Sequence, residues 1–220
     1  KNFNKVIFFD ENTGELIAQA GLLLKDAIKN FLPRGWFPYV TPGSKFVTIG
    51  GMVAANVHGK NQHKDGCLIN FINWIEIINS EGQLLKCSRN VNSELFNWTV
   101  GGMGLTGIII EATFSIIPIQ TSFIKEETNR FKNLDDLMEN MIRLDDQNKY
   151  SVAWIDSMNN NFRGILSRGI HATGQEIKKL KDIENLSFNP NPLTKIPHFI
   201  PINLMNKLFV KFFNEWWFRK

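Results

Sequence analysis

Apolar residues change period several times along this chain, and each change marks an element. Val6-Ile-Phe-Phe-Asp10 is dense in β-formers, Glu11-Asn-Thr-Gly14 supplies turn residues, and Leu16-Ile-Ala-Gln-Ala20 reads as the returning strand of a hairpin. After Gly21 the spacing becomes helical. Leu24, Ala27, Ile28, Phe31 and Leu32 share one face, and Pro33 with Gly35 ends that helix, leaving Trp36 to Pro42 extended. Phe46-Val-Thr-Ile49 reads as a short strand running into the pair Gly50-Gly51 and then a buried helical turn from Met52 to Val57. Trp74-Ile-Glu-Ile-Ile78 and Gln83-Leu-Leu-Lys-Cys87 predict a second hairpin around Asn79-Ser-Glu-Gly82. Asn92 or Ser93 is suited to cap a helix carrying Leu95, Phe96 and Val100, which Gly101-Gly-Met-Gly104 breaks before a long strand from Gly107 to Pro118.

The texture changes after Pro118. Asn133 is placed to cap a helix whose Leu134, Leu137, Met138, Met141, Ile142 and Leu144 form a wide stripe, with Asp135, Asp136 and Glu139 near its favourable N-terminal end. Two strand-like runs follow, Tyr150 to Ile155 and Phe162 to Arg168; past Asn189 the chain is proline-rich and ends in the aromatic stretch Phe209 to Lys220. The pattern predicts an α+β fold in two parts, residues 1–121 and residues 122–220.

Composition narrows the function classes. With 43% hydrophobic residues in 220, the chain is too apolar to be disordered. Its 25 basic and 21 acidic residues give +4 without clustered Lys/Arg runs, which argues against a nucleic-acid partner. Two cysteines, Cys67 and Cys87, make neither a disulfide framework nor a CxxC metal site. Glu111 interrupts the longest apolar run, Gly107 to Ile119, below the roughly 18 residues a membrane span needs. No targeting signal is visible after Lys1. Eighteen Phe and six Trp against two Tyr imply a large apolar core or a site for a flat ligand.

Two glycine-rich segments carry the candidate chemistry. In the first, Thr41-Pro-Gly43 precedes Val47-Thr-Ile-Gly-Gly-Met-Val-Ala-Ala-Asn-Val-His-Gly-Lys-Asn61; Gly50 and Gly51 allow close backbone approach, and a helix start there suits a pyrophosphate. The segment is neither a Walker loop nor GxGxxG, and a ligand-free strand-to-helix turn explains its spacing equally well. His58, Lys60 and His63 invite a metal, but only Asp65 lies near and the spacing is poor, so no metal site is expected. Hydrogen bonding by His58 and a phosphate or ring-carbonyl contact by Lys60 are the expected roles. The second segment, Glu94-Leu-Phe-Asn-Trp-Thr-Val-Gly-Gly-Met-Gly-Leu-Thr-Gly107, has backbone open enough for a planar or ribityl group, or is a tight turn.

Together, in this order, Gly14-Glu-Leu-Ile-Ala-Gln-Ala-Gly21, Pro33-Arg-Gly-Trp36, Pro42-Gly43, Val47-Thr-Ile-Gly-Gly51, His58-Gly59, Glu94-Leu-Phe96 and Gly101-Gly-Met-Gly-Leu-Thr-Gly107 resemble a known domain. It is the FAD-binding domain of the PCMH-type superfamily, that of vanillyl-alcohol oxidase and p-cresol methylhydroxylase, and the resemblance runs from Val6 to Pro118. Further on, Tyr150-Ser-Val-Ala-Trp-Ile-Asp156, Ile165-Leu-Ser-Arg-Gly169, His171-Ala-Thr-Gly174 and Asn214-Glu-Trp-Trp-Phe-Arg-Lys220 are similar to the substrate domain of the decaprenylphosphoryl-ribose oxidase branch, as is His58-Gly-Lys-Asn61.

The resemblance implies a partial PCMH-type FAD-binding domain followed by part of an α+β substrate (cap) domain. It carries over Gly43, Gly50, Gly51, Ala54, Asn56, His58, Gly59 and Lys60 as FAD contacts, joined by Gly102, Met103, Gly104, Thr106, Gly107 and Ile108. Relatives carry Asn where this chain has Met103, so a side-chain hydrogen bond is lost there. Trp154 and Lys60 are implied as substrate contacts, His58 as an orienting residue of the catalytic site. The family's Arg/Gly/Ser-rich phosphate loop has no counterpart after Lys1, and the lysine and tyrosine that relatives bring to the flavin fall past Lys220, as does the proton acceptor; the chain is expected to be part of a longer protein.

The activity implied is an FAD-dependent oxidation of a CH–OH group by hydride transfer to flavin N5, on a small-molecule or lipid-linked sugar such as decaprenylphosphoryl-ribose, in cell-wall biosynthesis. The FAD is expected to be non-covalent, and a partner reductase would complete an epimerisation. An aldonolactone or alditol oxidase on the same fold and a truncated, non-catalytic flavin-fold module are the alternatives. Lys207, Lys211, Arg219 and Lys220 interleaved with Phe and Trp suggest peripheral membrane contact by the tail, or a segment of the substrate domain. Cytoplasm and periplasm both fit.

Overall fold

The computed structural model describes residues 3–179, 184–188 and 206–220, and its secondary structure follows most of the periodicities. In chain order the elements are β1 (Val6–Asp10), β2 (Glu15–Gln19), α1 (Leu24–Phe31), β3 (Trp36–Pro38), α2 (Ile49–Ala54), α3 (Gln62–Asp65), β4 (Ile72–Ile78), β5 (Leu84–Ser88), α4 (Ser93–Thr99) and β6 (Ile108–Pro118). Then come β7 (Ile124–Phe131), α5 (Leu134–Leu144), β8 (Tyr150–Ile155), β9 (Gly164–His171), α6 (Gly174–Lys178) and α7 (Lys207–Arg219). Two compact units result: Lys1–Phe123 with His171–Phe188, and Ile124–Ile170 with Asn189–Lys220.

The first unit is an antiparallel sheet ordered β1-β2-β6-β4-β5, with β3 also paired to β6. Period-2 alternation sends Leu16 and Ala18 of β2, Ile75 and Ile77 of β4, and Ala112, Phe114 and Ile116 of β6 to one buried face. Register reinforces this, since Leu16 lies opposite Phe114, and Ala18 and Ile75 both oppose Ala112. Leu24 and Phe31 of α1, Met52 and Val53 of α2 and Phe96 of α4 complete the core. Each fully buried aliphatic contributes about 1.5–3 kcal/mol. The β1–β2 turn closes on Asp10, whose carboxylate accepts from the backbone N–H of Asn12 and the hydroxyl of Thr13, both at 2.8 Å. Those bonds, led by the Asn12 N–H, hold the Asp10 carboxyl below its usual range.

Two expectations need correction. No strand forms at Phe46–Ile49: Phe46 is exposed, and only Thr48 pairs, with Leu23 in a single bridge. The glycine pair does not precede the helix either; Gly50 and Gly51 lie inside the first turn of α2, for which Thr48 is the N-cap. Helix propensity disfavours glycine, but Gly50 sits where a Cβ would come within 2.8 Å of the Ala20 Cβ, so tight packing on the β2–α1 link overrides it. Asn92 occupies the cap position of α4 with φ +48, but its side chain donates to the Lys86 carbonyl at 2.8 Å instead of capping.

In the second unit three strands are ordered β7-β9-β8. β8 and β9 pair antiparallel, with Ser151 opposite Arg168 and Trp154 opposite Ile165. α5 covers one face: Leu137 is buried, and a Cβ on Gly164 would lie 2.2 Å from its Cδ1. Asn133 accepts from the Asp136 N–H at 2.8 Å, the cap its position predicted. Asn206 likewise starts α7 by accepting from the Phe209 N–H at 2.9 Å. The proline-rich stretch from 189 to 205 lies outside the described residues. Among the described residues no helix is long and apolar enough to cross a membrane.

Candidate functional site

The two glycine segments, far apart in sequence, form one surface of the first unit. Carbonyls at the end of α2 accept from the turn after α4: Val53 O from the Gly101 N–H at 3.0 Å and Ala54 O from the Met103 N–H at 2.9 Å. Gly101, Met103, Gly104 and Gly107 all have positive φ, +90°, +53°, +79° and +148°. At Gly107 a side chain is impossible, because a Cβ would fall 2.4 Å from the Ile78 carbonyl oxygen; at Gly102 it would fall 2.0 Å from that of Trp98. Thr106 is fixed from below. Its hydroxyl lies 2.9 Å from the buried Thr99 hydroxyl, which donates to the Leu95 carbonyl at 2.7 Å. Asn56, at φ +40, holds the Ile69 N–H at 3.0 Å and lies against Gly101.

The start of α2 is not an open anion site. Its first N–H groups are taken by protein acceptors: Ile49 donates to Leu22 O at 2.8 Å, Gly50 to Ala20 O at 2.7 Å and Gly51 to Thr48 Oγ1 at 3.1 Å. The pyrophosphate donors expected from Gly50 and Gly51 are thus occupied, the first by the link between β2 and α1 and the second by the Thr48 cap.

A second wall comes from residues 39–43 and 58–61. Gly59 is wedged between Thr41 and Asn61; a Cβ there would meet Asn61 Oδ1 at 2.6 Å and Thr41 O at 2.9 Å. His58 is exposed and pairs with Cys67 in a single antiparallel bridge, and Lys60 is exposed beside it. Gly43 is exposed with nothing within 4 Å of its missing Cβ, and the same holds for Gly104. Met103, Leu105 and Ile108 are exposed at 72%, 91% and 66%, an apolar ledge beside the Gly104 opening.

Sequence reading overlooked Asn61 as a site residue. It is fully buried; its Nδ2 donates to Tyr39 O at 2.7 Å and to Asp65 Oδ2 at 2.5 Å, while Oδ1 has no partner. A polar residue closing a glycine motif was the signal available. Trp154 belongs to the second unit, half-buried on the β8 strand. That unit also holds a cavity of about 370 Å³ lined by Asp156, Arg163, Leu208, Lys211, Phe212 and Glu215. Arg163 bridges Asp156 and Glu215, and Asn214 donates to Asp156 Oδ1 at 2.6 Å. Ser151 Oγ and Arg168 Nε, on facing residues, are buried without partners. Among the described residues no group of three His, Cys, Asp or Glu gathers as a metal site would require.

Comparison with known proteins places the chain among flavin-dependent proteins. Residues 1–88 match the family model described as FAD binding domain. Over 222 aligned residues the chain is 31% identical to the decaprenylphosphoryl-beta-D-ribose oxidase of Mycolicibacterium smegmatis, covering 99% of this chain and 48% of that protein. The chain carries a PCMH-type FAD-binding domain over residues 1–88. It is also 31% identical over 126 residues to a D-lactate dehydrogenase of Anaerostipes hadrus, covering 55% of this chain and 26% of that one. With cytokinin dehydrogenase 2 of Arabidopsis thaliana it shares 32% over 93 residues, 42% of this chain and 19% of that one. The chain thus spans about half the length of the ribose oxidase and less of the others.

FAD is the cofactor of this flavoprotein, and the residues present fit it. Gly43 and Gly104 leave backbone open where any side chain would project, and the ledge of Met103, Leu105 and Ile108 offers apolar surface to a flat ring.

Proposed function

We propose that the protein containing this chain oxidises the CH–OH group of a sugar or alcohol, with a decaprenylphosphoryl-ribose-like substrate as the first choice. The observation that carries the reading is the pair of hydrogen bonds from Gly101 and Met103 to Val53 and Ala54, which joins the two glycine segments into one cleft wall. The whole-chain similarity to a decaprenylphosphoryl-beta-D-ribose oxidase supports the substrate class.

When bound, FAD supplies the hydride acceptor. This chain's residues would then orient the reactants. Gly43 and Gly104 give the cofactor close approach, and Asn56, Gly59, Ala54, Gly102, Thr106 and Gly107 shape the cleft behind it. His58, exposed and held by its bridge to Cys67, is placed to orient the flavin or the substrate hydroxyl by hydrogen bonding. Lys60, beside it, would meet a phosphate or a ring carbonyl. Trp154 is the proposed aromatic contact for the sugar.

α7 supports a lipid-linked form of that sugar: Leu208 and Phe212 are 82% and 72% exposed, next to Lys207 and Lys211.

The test uses the intact protein. It should carry flavin absorbance and release FAD on denaturation, and a polyprenyl-phosphoribose added without oxygen should bleach that absorbance. No FAD would sink the whole reading. FAD that is bleached only by an aldonolactone, an alditol or a cytokinin would replace the substrate class; the likeness to cytokinin dehydrogenase 2 makes the last a necessary arm.

A further inference from the structure

Asn61 is a fully buried residue of the second wall, and its side chain reaches separate pieces of it. Its Nδ2 donates to the Tyr39 carbonyl, on the segment that leads from β3 to Gly43, and to the Asp65 carboxylate at the end of α3. Its backbone carbonyl accepts from the N–H groups of Lys64 at 3.0 Å and Asp65 at 2.9 Å, so α3 is built on Asn61 itself. Its Oδ1 lies where it sterically bars any side chain at Gly59, the residue between His58 and Lys60. Tyr39 is in turn stacked on Phe71, ring centroids 4.1 Å apart and planes 12° apart, which fixes the far end of the tie.

The chemistry of an amide explains the residue type. Two donors are needed on one atom, one for a carbonyl and one for a carboxylate, and only the NH2 of Asn reaches both from this short stem. An Asp would set two carboxylates against one another and leave the Tyr39 carbonyl facing an acceptor. A Leu would remove both donors. The buried, unpartnered Oδ1 is the cost of placing that donor pair here, and such orphans are rare in folded chains unless something else depends on the group.

We infer that Asn61 is a positioning residue for the cofactor: its amide holds the segment ending in Gly43 against the His58-Gly59-Lys60 turn, and so sets the shape of the wall that faces FAD. This rests on the assignment of those two segments to FAD in the proposed function. The residue touches neither cofactor nor substrate. It acts through Thr41, Gly59 and Tyr39.

The test compares the intact parent protein with Asn61→Asp and with the double variant Asn61→Asp/Asp65→Asn, which restores a donor and an acceptor between the two positions. FAD affinity is read by flavin fluorescence, and amide hydrogen exchange is read on the cofactor-free protein. Asn61→Asp should weaken FAD binding about tenfold or more and speed exchange in residues 39–43 and 58–60, with β4 and β6 unchanged; the double variant restores the bond to position 65 but not the one to the Tyr39 carbonyl, so exchange in 58–60 should recover while 39–43 stays fast and FAD affinity recovers only in part. The bound flavin's absorbance envelope should shift in the single variant and shift less in the double. If Asn61→Asp does not fold, Asp65→Asn alone decides, with a smaller change in the same two readouts. Affinity within about twofold of the parent together with unchanged exchange overturns the role of Asn61 while leaving the FAD cleft intact. A parent protein that binds no FAD overturns the cleft itself, and the inference with it.

Discussion

The guanidinium of Arg163 grips one oxygen of the Asp156 carboxylate twice, through Nε at 3.1 Å and Nη2 at 3.0 Å. The other oxygen accepts from the Met158 N–H at 3.1 Å and from Asn214 Nδ2 at 2.6 Å. Arg163 also reaches Glu215 at 2.7 Å, and its plane lies 4.5 Å from the Phe218 ring. The β8–β9 hairpin therefore carries a nearly buried ion pair, 3% and 14% exposed, whose two members hold α7 through Asn214 and Glu215. Removing one member leaves the other charge buried and underpaired. Asp156→Ala should destabilise the second unit by about 2–4 kcal/mol and detach α7, read as a lowered Tm and a red shift of the Trp216 and Trp217 emission. An unchanged emission maximum would show that α7 is held by other contacts.

Glu215 makes the attachment of α7 depend on acid. Hydrogen bonds from Arg219 and then from Arg163 hold its carboxyl below the ordinary glutamate value, against a smaller opposing effect of burial. The folded pKa is therefore lower than the unfolded one. Its stabilising contribution is complete above the unfolded value of about 4.3 and is lost as pH falls through the folded value. Tryptophan emission followed from pH 6 downwards should show a transition below about pH 4 that Glu215→Gln removes.

Glycines that serve the backbone separate from glycines that serve a ligand. Gly107→Ala puts a methyl 2.4 Å from the Ile78 carbonyl at φ +148 and should cost about 3 kcal/mol or prevent folding. Gly43→Ala meets open space at a φ that any residue adopts, so its stability should stay within about 0.5 kcal/mol of the parent. Denaturant midpoints test the contrast. A fall in FAD affinity for Gly43→Ala at unchanged midpoint would then report on the cofactor alone.

Met103 stands at φ +53 with its side chain 72% exposed, a left-handed conformation that costs a non-glycine residue about 1 kcal/mol. Nothing packed is lost by shortening it. Met103→Gly should raise stability by about 0.5–1 kcal/mol, and Met103→Asn by less, as read by urea midpoint. Asn tolerates left-handed backbone better than Met.

Most of the first unit was legible because its elements bury one face. The two hairpins, α1 and β6 could be placed from alternation or helical spacing alone. β7 could not, since Ile124–Phe131 is exposed along most of its length and carries no apolar alternation. α6 is five residues long, and its capping box of Thr173 and Glu176 gave the only local sign of it. At α2 the reading failed for a tertiary reason: the glycines belong inside the helix because Ala20 leaves no room for a side chain at Gly50. The cleft residues were reached through resemblance, whereas Asn61 needed the structure, because its partner Tyr39 is 22 residues away and its value lies in a carbonyl.

The chain passes between the two units three times, at Phe123, at Ile170 and at Phe188. Within the first unit the return is pinned beside the departure: Ala172 donates its N–H to Phe123 O at 2.9 Å, and Thr121 Oγ1 donates to Ala172 O at 2.7 Å. During synthesis, then, the large sheet emerges from the ribosome before the segment that completes its unit, and the β8–β9 hairpin emerges before the helix it holds. Each unit waits for the other to be translated. A proteolytic nick anywhere between 124 and 188 would strip a piece from both at once, so limited digestion should show the two halves lost together.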